Sequence, residues 1–111
     1  MSQIPADPLF RQELLDEAKS IVNSIGQVLP VTSAYFFGSG LNGVFTEDSD
    51  LDLIVVIEDQ FDLKRAQQIA FSKRWTNRPL DLILKSESEF NQRKELGGVC
   101  FVAFHDGLKL K

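Results

Sequence analysis

The sequence predicts a single α/β domain spanning residues 1–111, and its length, composition and alternating patterns all favour this. Apolar residues recur every three or four positions between Phe10 and Val28, as they do on the buried side of a helix. Shorter apolar runs, which are typical of strands, follow near 32–37, 50–57 and 78–84. A chain of 111 residues, with 43% hydrophobic and 25% charged residues, is large enough for one hydrophobic core.

The first helix is predicted to begin at Asp7 and Pro8, because a good N-cap residue there precedes proline at the first helical position. We expect it to end between Gly26 and Leu29, since Pro30 cannot continue a helix. Its buried stripe is predicted to contain Phe10, Leu14, Ala18, Ile21, Ile25 and Val28.

A turn of small residues follows the first strand, which is predicted at about Thr32 to Phe37. The turn reads Gly38, Ser39, Gly40. Backbone N–H groups in such a turn can approach an anion closely, and a serine hydroxyl adds one more donor. The turn therefore predicts a phosphate-binding position.

The second strand carries two acidic residues, Asp50 and Asp52. Because they are two residues apart they share one face, while Leu51 and Leu53 lie on the other. The apolar run at 54–57 predicts that the strand is then covered on both faces. Two neighbouring carboxylates repel each other unless a cation lies between them, and Mg²⁺ takes such ligands together with phosphate oxygens. With the turn, they predict a nucleoside triphosphate site.

The third strand, at about Arg78–Leu84, contains one acidic residue, Asp81. Burying a single unpaired charge in an apolar strand would cost several kcal/mol. We therefore expect Asp81 to lie beside Asp50 and Asp52.

These three features together resemble the DNA polymerase β-type nucleotidyltransferase superfamily, and in size its minimal members. The resemblance implies a mixed β-sheet with helices packed on it. It implies that Asp50 and Asp52 hold two Mg²⁺ ions on the triphosphate of ATP or another NTP. Asp81 would hold the catalytic metal and activate the acceptor hydroxyl for attack on the α-phosphorus, and Gly38, Ser39 and Ser49 would bind the nucleotide.

One residue departs from the pattern of the minimal members. They usually have an arginine in the turn, in Gly-Ser-x-Ala-Arg-Gly, where this chain has Asn42. A cation near the phosphates is then absent unless another Lys or Arg supplies it. This puts turnover in question more than the fold, and with all three carboxylates present we expect a competent site.

The acceptor is expected to be small or carried by a partner, because the chain ends about 30 residues after Asp81, where larger members append acceptor-binding domains. Minimal members are often paired with a HEPN-type protein, and some act as antitoxins that transfer AMP to its tyrosine. We expect this activity, with ATP. One alternative is a nucleotide- or partner-binding antitoxin that acts by occlusion without chemistry. Another is transfer to a small antibiotic.

Three further elements are predicted downstream. Asp62 is a predicted N-cap of a second helix, and Ser86 begins a capping box for a helix that would reach about Leu96. The residues from Val99 to His105 favour a strand, yet Asp106-Gly107 resembles a helix end, and the resemblance favours a short helix. An extended segment is predicted at 108–111.

Lys64, Arg65, Lys73 and Arg74 give the second helical segment a local positive charge, which we interpret as a solvated face. Trp75 could stack on a nucleobase, although an aromatic in or at the edge of the core is the simpler interpretation. His105 is the only histidine and is interpreted as structural or exposed.

The composition excludes several classes of function. A formal charge of -4 and a pI near 4.9, without a basic stripe, argue against DNA or RNA as the acceptor. Cys100 is the only cysteine, so the chain can form no internal disulfide and suits a reducing cytoplasm. No apolar run reaches the ~18 residues of a membrane span.

Overall fold

The computed structural model describes residues 8–37 and 51–111 of the chain, and its described part contains four helices and four strands. The helices are α1 (Pro8–Gly26), α2 (Leu63–Phe71), α3 (Glu87–Arg93) and α4 (Gly98–Asp106). The strands are β1 (Val31–Phe37), β2 (Leu51–Ile57), β3 (Leu80–Ser86) and β4 (Leu108–Lys109).

The four strands form one mixed sheet in the order β3-β2-β1-β4. β1 pairs antiparallel with both β2 and β4, whereas β2 and β3 are parallel. Parallel neighbours need a crossover connection, and α2 supplies it between β2 and β3. This confirms the predicted mixed sheet with helices packed on it.

The larger part of the core lies on the sheet face that α1 and α2 cover. The predicted stripe of α1 is buried there from Leu14 to Ile25, whereas Val28 is 42% exposed. Val28 was wrongly included because the helix ends at Gly26, so the helical spacing no longer sets its direction. Pro8 is the first helical residue, as predicted, and Asp7 lies outside the described residues.

α3 and α4 cover the opposite face of the sheet and form a smaller cluster with it. The rings of Tyr35 and Phe90 stack at 5.2 Å, and Phe104 packs edge-on against both. Ile54 and Val56 of β2 belong to this cluster, while Val55 and Ile57 belong to the larger one. The prediction that β2 is covered on both faces is therefore confirmed.

Two predicted helix N-termini, one after β2 and one after β3, are confirmed by hydrogen bonds from their N-cap side chains. Asp62 accepts a hydrogen bond from the Lys64 backbone N–H (3.0 Å), and the Ser86 hydroxyl accepts one from the Glu89 N–H (3.3 Å). The second of these helices ends at Arg93, before the predicted Leu96, and is followed by Gly97 at a φ of 135°, a conformation open to glycine.

The ambiguous segment after Gly97 is a helix, α4, as the resemblance favours. The sequence preferences could not decide this because the helix is apolar on all sides, with Phe101 and Val102 exposed while Cys100 and Ala103 are buried. Its last residue leads into β4, so the predicted extended segment becomes a short edge strand. Among residues 8–37 and 51–111, no helix is both long and apolar enough to cross a bilayer.

Candidate active site

One row of residues crosses three strands where β1 ends and where β2 and β3 begin. Phe37 pairs with Asp52, and Asp52 pairs with Asp81. In-register residues on neighbouring strands project from the same face of a sheet, so the two carboxylates lie side by side. Strand spacing places their backbones about 5 Å apart. The sequence prediction that Asp81 lies beside Asp52 follows directly from this register.

The two acidic residues differ in solvent exposure. Asp52 is half-buried, between the core residues Leu51 and Leu53, which point to the opposite face as predicted. Asp81 is exposed, because β3 is the edge of the described sheet and Asp81 is its second residue. Asp81 was predicted to lie beside the other carboxylates because burying it alone would be costly. Since Asp81 is exposed, that cost does not arise, and strand pairing alone sets its position.

The other predicted site residues fall outside the residues that the structure describes. They are Gly38, Ser39, Asn42, Ser49 and Asp50. In the chain, Gly38 directly follows Phe37, and Asp50 directly precedes Leu51, so both adjoin members of the row.

A divalent cation fits the chemistry of the two described carboxylates. Hard cations such as Mg²⁺ prefer carboxylate oxygens, and two acidic groups on one face repel each other without one. Within the described part of the chain, Asp52 and Asp81 are not joined by a third His, Cys, Asp or Glu in a metal-binding cluster. Asp50 is the third carboxylate that the sequence predicts there.

Contacts from α1 hold the segment that leads into β3. The Thr76 hydroxyl donates to the Glu17 carboxylate (2.5 Å), and the Arg78 guanidinium pairs with the same carboxylate (3.4 Å). The Leu51 N–H donates to the Pro79 carbonyl (2.8 Å), which ties the beginnings of β2 and β3 together. Glu17 was not predicted to have a role, since its contacts lie about 60 residues away along the chain.

A pocket of about 410 Å³ lies beside Asp81, between the end of α2 and the beginning of β3. Leu80 and Leu82 line it together with Ala70, on the face of the sheet that α2 covers, and Asp81 contributes at the strand edge. Its other walls come from the segment after α2 and include Phe71, Lys73, Arg74, Trp75, Thr76 and Arg78.

This pocket was not predicted from the sequence, although roles were assigned to several of its lining residues. Lys73 and Arg74 are exposed, in keeping with a solvated face, but both also line the pocket. Trp75 is half-buried and packs against the core, and its indole N–H donates to the Ala70 carbonyl (2.7 Å). The sequence feature that could have indicated the pocket is its charge, because residues 63–80 contain five Lys or Arg and no Asp or Glu.

His105 and Cys100 take no part in this row. His105 lies 3.3 Å from the Glu95 carboxylate and contacts the Phe101 ring, in agreement with a structural or exposed role. Cys100 is buried under the sheet, and burial raises the pKa of its thiol.

The described structure is an α+β fold with a mixed sheet and an acidic pair on neighbouring strands. The comparison with protein families makes this specific. Residues 15–104 match the model of the nucleotidyltransferase domain family, so the chain belongs to that family. The resemblance to this superfamily is thereby confirmed.

A solved structure also has this fold. It is the crystal structure of a protein from Sulfolobus solfataricus that is described provisionally as a nucleotidyltransferase. The TM-score is 0.58 at 24% sequence identity, and the match covers 74% of this chain and 75% of the other. At this identity the likeness concerns the fold alone. No curated protein sequence matches the chain.

Proposed function

We propose that the chain transfers AMP from ATP to a hydroxyl group on a partner protein of the HEPN type. The observation that carries the proposal is the register of β2 and β3, which sets Asp52 beside Asp81 on one face. Neighbouring acidic groups suit nucleotidyl transfer, because the reacting phosphates are anionic and a divalent cation can be shared between them and the carboxylates.

One set of residues is proposed to bind the triphosphate, and Asp81 is proposed to act on the acceptor. Asp50 and Asp52 hold magnesium with the triphosphate, and Gly38, Ser39 and Ser49 bind its phosphate oxygens. When bound, two magnesium ions neutralise the charge of the phosphates and align them.

Asp81 would hold the catalytic metal and activate the acceptor hydroxyl, whose proton it takes up. The hydroxyl oxygen then forms a bond to the α-phosphorus while the bond from that phosphorus to the pyrophosphate oxygen breaks. The products are an AMP ester of the acceptor and pyrophosphate, so no oxidant or further reactant is needed.

Two observations support a protein acceptor. The chain carries a net charge of -4, which disfavours the long polyanion of DNA or RNA. The resemblance to minimal members paired with HEPN-type proteins supplies a partner class with an acceptor hydroxyl.

The test uses ATP labelled either at the α-phosphate or at the γ-phosphate, mixed with a HEPN-type acceptor. Nucleotidyl transfer labels the acceptor from α-labelled ATP alone, whereas kinase-like transfer labels it from γ-labelled ATP. We expect Asp52→Asn and Asp81→Asn to abolish labelling. The exposed Asp106 provides a matched control, and Asp106→Asn should retain it. Absence of label with any of the NTPs, from a folded protein, would contradict the proposal.

Asn42 favours a second candidate, an antitoxin that neutralises its partner by occlusion. The usual arginine in the turn would add a cation near the phosphates, and its replacement weakens the case for turnover. The Asp52→Asn variant distinguishes the two functions. If the chain acts by occlusion, the variant still neutralises the partner; if the chain acts by AMP transfer, the variant no longer does so.

A further inference from the structure

The pocket beside Asp81 is basic in a chain that is acidic overall. Residues 63–80 hold five of the chain's 12 Lys and Arg, and none of its 16 Asp and Glu. Three of these five, Lys73, Arg74 and Arg78, line the pocket, where Glu17 pairs with Arg78 from outside and Asp81 forms one wall. Since Glu17 offsets the charge of Arg78, Lys73 and Arg74 outnumber the one carboxylate of the lining, Asp81, and this excess of positive charge in a concave surface attracts anions.

The walls of the pocket also present aromatic surface. Phe71 is 60% exposed, although it is the last residue of a helix that packs on the core. Trp75 is fixed by its hydrogen bond to Ala70, and the Lys73 ammonium lies 5.7 Å from the centre of its ring. The pocket therefore offers apolar contact and positive charge in one place.

The strand order places this pocket next to Asp81, at the outer edge of β3. Leu80 and Leu82, which line it, lie on the face of the sheet that α2 covers, whereas Asp52 and Asp81 project from the face that α3 and α4 cover. Because β3 has no further neighbour in the described sheet, a molecule bound in the pocket reaches Asp81 around this open edge.

We propose that this pocket, which Lys73, Arg74 and Trp75 line beside Asp81, binds an acidic segment of the partner polypeptide next to its acceptor hydroxyl. The inference rests on the proposed function and adds the chemistry of the segment that is recognised. A short acidic segment fits better than a nucleic acid, because the basic stretch is confined to one helix and the segment after it. Acidic residues elsewhere on the chain would repel an extended polyanion.

The test measures binding of a short peptide in which glutamates flank one serine, without nucleotide or metal. The control peptide has glutamines in place of the glutamates. Trp75 is the chain's only tryptophan, so a change in its fluorescence reports binding in this pocket. We expect the acidic peptide to bind and to change the Trp75 emission, and the glutamine peptide to do neither.

Two double variants with equal changes of charge locate the site. Lys73→Glu with Arg74→Glu should weaken acidic-peptide binding at least about tenfold, because both side chains line the pocket. Lys64→Glu with Arg65→Glu changes two exposed cations of the same basic stretch that do not line it. A loss of less than about threefold is expected there, since such charges act only through screened long-range attraction.

Three results would overturn the inference. They are equal losses in both double variants, binding of neither peptide, and preferential binding of a short oligothymidylate that the Lys73/Arg74 variant loses. The last result would assign the pocket to nucleic acid. Magnesium-dependent ATP binding, measured separately on the same variants, should persist in both. If ATP binding fails in the wild type while peptide binding holds, the proposed function fails and the acidic-segment site stands.

Discussion

Asp52 and Asp81 are register partners in the parallel pair of β2 and β3, so their carboxylates share one face although 28 residues separate them in the chain. Asp52 is half-buried and Asp81 is exposed. One acidic group therefore lies against the core while the other is open to solvent and to an incoming molecule. This arrangement suits a site that holds one substrate inside and receives another from the edge of the sheet.

Binding of magnesium and ATP should raise the melting temperature of the wild-type chain. A ligand at 100 times its dissociation constant adds about 2.7 kcal/mol to the free energy of unfolding. For a domain of this size that corresponds to a rise of several degrees or more. We expect Asp52→Asn and Asp81→Asn to lose the magnesium-dependent part of the rise and Asp106→Asn to keep it. An undiminished rise in both active-site variants would place the nucleotide elsewhere.

Replacing Glu17 by glutamine should loosen the segment that leads into Asp81. The substitution removes the charge that pairs with Arg78 and weakens the hydrogen bond from Thr76, both at partly buried positions. We expect the free energy of unfolding in urea to fall by about 1 kcal/mol. AMP transfer should fall as well, since Asp81 would be held less firmly.

Glu13→Gln is the matched control, because Glu13 is exposed on the same helix. It should change neither stability nor transfer measurably. Equal effects of the two substitutions would mean that the net charge of α1, rather than its contact with the segment, is responsible.

Gly107→Ala should be strongly destabilising. A Cβ atom at this position would lie 2.3 Å from the Ala103 carbonyl oxygen and 3.0 Å from that of Phe36, and both are backbone atoms that cannot move alone. We expect a loss of roughly 1 to 3 kcal/mol, the usual range for overpacking. Gly26→Ala is the control, since a Cβ there meets nothing within 4 Å, and thermal melting should show little change. A stable Gly107→Ala variant would contradict the close approach of α4 to β1.

The hydrogen bonds between Asp59 and Ser88 of α3 should make part of the free energy of unfolding depend on pH. The carboxylate accepts hydrogen bonds from the Ser88 hydroxyl (2.5 Å) and N–H (2.9 Å), and these lower the pKa of Asp59. A group with a lowered folded-state pKa stabilises the native state above its unfolded pKa, near 4, and the contribution disappears as the pH falls through the folded pKa.

We therefore expect wild type to be more stable than Asp59→Asn at neutral pH, with the difference shrinking as the pH is lowered through the acidic range. Urea unfolding at a series of pH values measures this difference. If the difference in free energy of unfolding stayed constant down to the most acidic pH, the charge of Asp59 would not be the cause of that difference.

Local chemistry was enough to predict the helix beginnings and the strand positions. Asp62 and Ser86 cap their helices because the capping oxygen and the N–H that it binds lie within three residues of each other. Asp52 could be assigned to the face opposite Leu51 because the alternation of a strand is a property of the strand itself. Val28 was predicted to be buried from its helical spacing, but the helix ends at Gly26, so that spacing no longer determines which way Val28 points.

The sequence predicted most of the elements, the family and a set of candidate acidic residues. Only the tertiary structure showed that Asp81 is exposed at the edge of the described sheet, that Glu17 holds the segment before it, and that a basic pocket opens beside it. The reason is physical: strand order and register are set by pairing between distant segments, and no local propensity encodes which strand has a neighbour on only one side. A pocket assembled from α2, the following segment and β3 exists only after that pairing has been made.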